Sequence, residues 1–330
     1  MLIKFFRSSF LIQYFALVLL TAAIWIPGFL ANPGLPVEPQ LITPLYNLAH
    51  YVLGMLGFAS PAVAVAIVLI SALTLNNILV FHDLTPKNNI LPAFIFILLI
   101  SSNPLTLCSY PVILSLPFFT WFLHTIYKMN DEPENYMEVF NASILISVIS
   151  LIYPLAIILF PFIWLALLVY GTVNGRNIII SLIAVSLPYL YLLFYFFWTD
   201  QLNAALSSYH NFFSDILEIQ LNKSILQLAV WTLFAIFMLL PAFMRITGTL
   251  SSFSINFRKK MAATAWLVAF TLPMILFSGK ADYNTLLFIP SSIMIAHYYN
   301  LFKKSILNEI ALLVFLFLVL ANNYLHFFNA

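Results

Sequence analysis

Residues 139–173 read VFNASILISVISLIYPLAIILFPFIWLALLVYGTV, 35 positions without one charged side chain. A single helix of that length would run about 52 Å at 1.5 Å per residue, far beyond the ~30 Å hydrocarbon core of a bilayer. Two full spans would need slightly more chain than is present. Tyr153-Pro154 stands at the centre, and a proline pushes the residue before it away from helical geometry. The stretch therefore reads either as one long span or as a tight hairpin folded at 153–154.

Basic residues decide between the two, because loops on the cytoplasmic side carry the excess of lysine and arginine. Lys4 and Arg7 precede the first apolar run and set the start inside. With a hairpin, the inside holds Lys4, Arg7, Lys87, Lys128, Arg176, Arg245, Arg258, Lys259, Lys260, Lys303 and Lys304. The outside then holds Lys223 and Lys280 alone, eleven against two. With one span everything downstream flips, and the split becomes six against seven. The hairpin is the consistent reading.

The remaining apolar runs follow the same pattern. They are continuous rather than alternating, so they predict helices and not barrel strands. Spans are expected near 10–30, 61–81, 90–107, 110–127, 139–153, 155–173, 177–197, 224–243, 261–278, 285–300 and 306–324. The expected fold is all-α: a polytopic transmembrane helical bundle of about eleven spans, N-terminus inside and C-terminus outside. Residues 1–330 form one transmembrane domain. The first apolar run is long for the core of a signal peptide, and Ala31-Asn32-Pro33 is a poor cleavage site, so that run reads as a span.

Composition agrees. Of 330 residues, 63% are hydrophobic and 7% charged, with a mean hydropathy of +1.02. Soluble domains carry about 25% charged residues, and a fold of this size cannot bury so much apolar surface. That excludes a soluble enzyme and a disordered chain. The 13 basic and 11 acidic residues are too balanced for nucleic acid. One cysteine, Cys108, leaves no intramolecular disulfide. The histidines at 50, 82, 124, 210, 297 and 326 are scattered, none at metal-ligand spacing. Neither a metal nor another cofactor is expected. The expected location is the cell inner (cytoplasmic) membrane, multi-pass, with the bilayer as the first partner.

Ionisable groups within spans are functional candidates by default, yet this chain has almost none. Asn76, Asn77, His124 and His297 are the polar exceptions, each near a span's cytoplasmic end. Without a chain of carboxylates or histidines, proton-coupled transport is disfavoured. The polar groups gather instead in three outer segments. Residues 31–60 hold Glu38, then a short interfacial helix with Asn47, His50, Gly54 and Gly57 on one face. Residues 198–224 hold Asp200, His210, Asp215, Glu218 and Lys223 between aromatic residues. Residues 279–284 hold Lys280, Asp282 and Tyr283. Arg258-Lys259-Lys260, on the inner side, is expected to anchor the topology against anionic head groups.

Two resemblances follow from these residues. Lys4-Phe5-Phe6-Arg7-Ser8 ahead of Gln13-Tyr14, Asn76-Asn77, Leu84-Thr85-Pro86-Lys87-Asn88-Asn89, Ser101-Ser102-Asn103-Pro104, Phe140-Asn141-Ala142-Ser143 and Ser150-Leu151-Ile152-Tyr153-Pro154 resemble an uncharacterised family of bacterial multi-spanning inner-membrane proteins. The likeness covers most of the chain and names no reaction. More loosely, three features resemble the C-type glycosyltransferase (GT-C) superfamily, whose members take sugars from polyprenyl-phosphate carriers. They are the outer loop and interfacial helix after the first span, the hairpin ahead of Asn174-Gly175-Arg176, and Lys280 and Tyr283 leading into a span with Pro290.

That second resemblance implies Glu38 as general base, with Asp282 a further catalytic candidate. Lys280 would contact the carrier phosphate, and His50, Tyr283, Asp200 and His210 would line the substrate. The partner implied is a lipid-linked sugar. The superfamily commonly pairs carboxylates early in that loop, whereas here Glu38 stands alone. Two alternatives therefore stand beside an enzyme: a non-catalytic subunit or scaffold bound to another membrane protein of an envelope assembly complex, and a lipid or solute transporter.

Overall fold

A computed structural model describes residues 2–31, 43–56, 60–102, 110–130, 134–216, 230, 234–249, 252–272, 285–301 and 306–328. Every regular element among them is helical. Fourteen α-helices follow in order: α1 (Leu2–Phe6), α2 (Leu11–Ala31), α3 (Pro44–Leu56), α4 (Ser60–Phe81), α5 (Leu91–Ile100), α6 (Tyr110–Lys128), α7 (Tyr136–Ile152), α8 (Phe160–Tyr170), α9 (Gly175–Trp198), α10 (Leu202–Ile216), α11 (Leu240–Thr249), α12 (Ile255–Thr271), α13 (Thr285–Leu301) and α14 (Ile306–Phe328). A 3₁₀ segment, Pro154–Leu159, precedes α8, and a π-helical turn, Phe234–Leu239, precedes α11. Among the described residues, three stretches are long and apolar enough to cross a membrane: Ala62–Phe81, Gly175–Trp198 and Ile306–Leu325. Leu11–Pro27, Leu91–Ile100, Tyr136–Ile152 and Pro154–Tyr170 are apolar but shorter.

The chain folds back at Tyr153, which is extended at φ −133° and ψ 94° ahead of Pro154. Pro154 and Pro161 shape the return, so 154–159 winds as 3₁₀ before α8 begins. α8 stops at Gly171, whose φ of +76° only glycine adopts without strain. There Gly171 N donates to Leu168 O and Leu167 O, and Thr172 N to Leu167 O, closing the final carbonyls. A Cβ at Gly171 would meet nothing within 4 Å, so Gly171→Ala tests the backbone alone. It is expected to cost roughly 1–2 kcal/mol, read as a lower melting temperature in detergent.

Asn135 closes the hairpin. Its Nδ2 donates to Thr172 Oγ1 at 2.9 Å and to Met129 O at 3.3 Å, and its Oδ1 accepts from Asn177 Nδ2 at 2.9 Å. The start of α7, the end of α8 and the start of α9 thus meet at one end of the bundle. The same end gathers further contacts. Ile90 N donates to Phe6 O, Arg7 to Tyr299 O, Asn89 Nδ2 to Asn300 Oδ1, and Lys259 Nζ to Tyr170 O. At the far end Trp25 Nε1 donates to Ser101 Oγ, while Asn322 and Asn323 donate to the carbonyls of Ser102 and Ser101.

α5 is the most enclosed element, with all ten residues buried between α4 and α13. It ends at Ser101, short of the expected 107, and is about 15 Å long. Its terminal carbonyls are in a dry interior, where they need donors. The two asparagine amides of α14 supply them.

The charged triplet departs from expectation. Arg258-Lys259-Lys260 falls inside α12 rather than in a loop, because Ser254 caps that helix by accepting from Phe257 N. Lys260 is 5% exposed and bonds within the bundle, so it is not a solvated anchor.

Candidate functional site

α3 packs on α7 and α4 and buries Tyr46 and Leu53, leaving Leu48, Tyr51, Val52 and Met55 exposed. Its opening turn is fixed by Thr43 Oγ1 donating to Asn47 Oδ1 at 3.3 Å and by Asn47 N donating to Thr43 O. Opposite it, α9 ends at Trp198 and the chain reverses through Asp200 at φ +56°, a left-handed position aspartate tolerates better than most residues. Gln201 N returns to Phe196 O at 3.0 Å, and α10 begins.

Between these elements lies a groove of about 540 Å³ at the far end of the bundle. Leu48, Leu151, Pro188 and Leu192 give it apolar walls, and Asn47, Tyr191, Tyr195 and Gln201 place amide and hydroxyl groups along it. Neither an acid nor a base lines it among the described residues. Its described lining thus combines apolar walls with neutral hydrogen-bonding groups.

The candidates picked out by sequence distribute around this groove unevenly. Glu38, Lys280, Asp282 and Tyr283, as well as Glu218 and Lys223, lie outside the described residues. His50 is one turn beyond Tyr46, with ring centroids 5.9 Å apart. Its Nδ1 is buried without a hydrogen-bond partner among the described residues. Asp200 is exposed and serves the turn. His210 is exposed on α10 and does not line the groove. On the same helix, burial and then neighbouring Tyr189 hold the Tyr209 hydroxyl above its usual range, so it stays a neutral donor. The groove brings the first and second polar segments together through Asn47 and Gln201, the direct neighbour of Asp200.

A second polar cluster sits at the other end. His82 Nε2 and His124 Nδ1 are 3.0 Å apart, Lys260 Nζ is 3.2 Å from His82 Nδ1, and Tyr127 OH bonds Thr264 Oγ1 at 2.8 Å. Sequence spacing carries no sign of this pairing, because 42 residues separate the two histidines. No group of three or more histidine, cysteine, aspartate or glutamate side chains suited to a metal ion occurs among the described residues.

Comparison with family models, with curated proteins and with solved structures finds no match to this chain.

Proposed function

We propose that the chain is an eleven-span inner-membrane protein, N-terminus inside, that holds a lipid-linked sugar at its outer end. If it is catalytic, it acts as a glycosyltransferase of the C-type kind. The groove between α3 and α9 carries this reading: it is open, apolar along its walls, and edged by Asn47, Tyr191, Tyr195 and Gln201. Those groups suit a prenyl chain with a hydroxylated head.

Support for the orientation comes from the ends of the bundle. Lys4, Arg7, Lys87, Lys128, Arg176, Arg258, Lys259 and Lys260 all fall at the end where Asn135 meets Thr172. Positive charge of that kind marks the cytoplasmic side, which leaves the groove outside.

The chemistry would need a base for the acceptor hydroxyl while the sugar C1 gains oxocarbenium character and the carrier phosphate leaves. Glu38 is the proposed base and Lys280 the phosphate contact. Positioned base help is worth about 10²–10⁴-fold in rate. Glu38→Gln is therefore expected to abolish the dependent envelope glycan while leaving protein abundance unchanged. Normal glycan at normal abundance removes Glu38 from the site.

One observation favours a second reading. α9 leaves Leu190, Phe194, Phe197 and Trp198 exposed along one helix, a surface suited to another membrane protein, and the groove lacks a carboxylate among the described residues. A non-catalytic subunit would co-purify with its partner and lose it when Phe194 and Trp198 become alanine.

A further inference from the structure

α7 and α9 run side by side from the end that holds Asn135. Their first polar tie is Asn177 Nδ2 to Asn135 Oδ1 at 2.9 Å, and their last is the hydroxyl pair of Ser150 and Tyr189 at 2.6 Å. α7 stops at Ile152, two residues past Ser150, and the chain turns back at Pro154. α9 runs on for nine residues past Tyr189, to Trp198, about 14 Å further along its axis. In the inner part of α9 Asn177, Ser181 and Ala184 are buried, and Trp164 Nε1 donates to Ser181 Oγ. Beyond Tyr189 burial nearly ends: of residues 190–198 Phe196 is buried, Leu192 is half-buried and the rest are exposed. The end of α9 is an arm that overtops its neighbour.

Pro188 sits at the root of this arm. Proline has no N–H, so Ala184 O lacks the donor that the helix would otherwise give it, and the ring crowds that carbonyl. Helices in membranes tolerate such a break, and it is where they bend. One residue on, the Tyr189 hydroxyl ties the arm to Ser150, which is 1% exposed. A segment with few buried contacts rearranges at low cost. The arm is also a wall. Tyr191, Leu192 and Tyr195 form one side of the α3–α9 groove, whereas Leu48 on α3 and Leu151 on α7 belong to the other.

We propose that residues 190–198 are a gate for this groove, hinged at Pro188 and latched by Tyr189 on Ser150. Bending at Pro188 swings Tyr191 and Tyr195 away from α3, while Leu151 keeps its place on α7. A change of about 20° in that bend carries Trp198 about 5 Å, and the groove widens toward the surrounding lipid. With the latch made, the wall stands as the structure shows it. The inference rests on the reading of this groove as the seat of a lipid-linked sugar, and it adds how that seat opens.

The test is double electron–electron resonance on the full chain in nanodiscs of phosphatidylethanolamine and phosphatidylglycerol, with Cys108→Ala as background. Nitroxides are attached to Tyr51→Cys with Phe197→Cys, and, as the control, to Tyr51→Cys with Ile179→Cys. All three positions are exposed, none lines the groove, and Ile179 lies on α9 before the hinge. The 51–197 distances are expected to spread about 5 Å wider than the 51–179 distances, the reach of the arm. Tyr189→Phe is expected to widen and lengthen them further, and Ser150 Oγ still has Ser147 O to donate to. Pro188→Ala returns an N–H to Ala184 O and is expected to narrow them to the control's width. A 51–197 spread no wider than the control, or one that neither variant moves, overturns the gate. The distances are read with no sugar present, so the gate can fail while transfer stands, and the Glu38→Gln glycan result reads transfer without the gate.

Discussion

On intact cells, a membrane-impermeant maleimide is expected to label a cysteine at Ser207 and to leave cysteines at Glu134 and Val173 untouched until the membrane is opened. The background is Cys108→Ala, which removes the chain's one native thiol. Glu134, Val173 and Ser207 are all exposed, and Ser207 Oγ bonds only to Ala204 O within its own helix. Glu134 and Val173 flank the 139–173 stretch, so the hairpin puts them on one side. A single long span puts them on opposite sides. α9 alone separates Val173 from Ser207, so those two must differ. The effect is all-or-none, because a bilayer admits no partial crossing. Glu134 and Val173 reporting from different sides would remove the hairpin, and with it the inside placement of most basic residues. The outer assignment of the α3–α9 groove would then fall too, and the proposal that Glu38 works beside it.

How far the sequence foretold this arrangement depends on the range over which each feature is set. The fold at Tyr153 was readable because its cause is local: Pro154 excludes helical geometry at its neighbour, and the charge balance punishes any other path. The helix 44–56 was readable from its polar stripe at Asn47 and His50, although its buried face, Tyr46 and Leu53, is chosen by tertiary packing. The early end of α5 was not readable. Ser101 and Ser102 can stop there because Asn323 and Asn322 reach them across 222 and 220 residues of chain. The inward turn of Lys260 was hidden for the same reason. In sequence it closes a basic triplet, and only the tertiary fold brings it to His82, 178 residues away. Of the outer candidates, Asp200 owes its place to backbone geometry, and the groove's tyrosines, Tyr191 and Tyr195, lie within the expected span 177–197, where the sequence singled out neither.

The second large effect is expected from Asn135→Leu. Leucine nearly matches the shape of asparagine, so packing changes little while three hydrogen bonds disappear together. Asn135 is 2% exposed, and water cannot replace what is lost. Met129 O and Thr172 Oγ1 lose a donor, and Asn177 Nδ2 keeps only Thr172 O. A buried polar group left unpaired costs about 1–3 kcal/mol, and members of one network do not fail independently. A loss of roughly 2–4 kcal/mol is expected on that scale, read as a fall of several degrees in melting temperature in detergent. Thr172→Val removes one acceptor and is expected to cost less. The double variant should cost less than the sum of the two singles, because Thr172 Oγ1 has already lost its donor when Asn135 is gone. Strict additivity would mean that the two side chains do not meet, and the start of α7 would then not be tied to the end of α8. An Asn135→Leu protein as stable as the parent would mean the same, since the other links named among the described residues each join only two of the three helix ends: Asn177 Nδ2 to Thr172 O, and Asn174 Nδ2 and the Arg176 guanidinium to Tyr136.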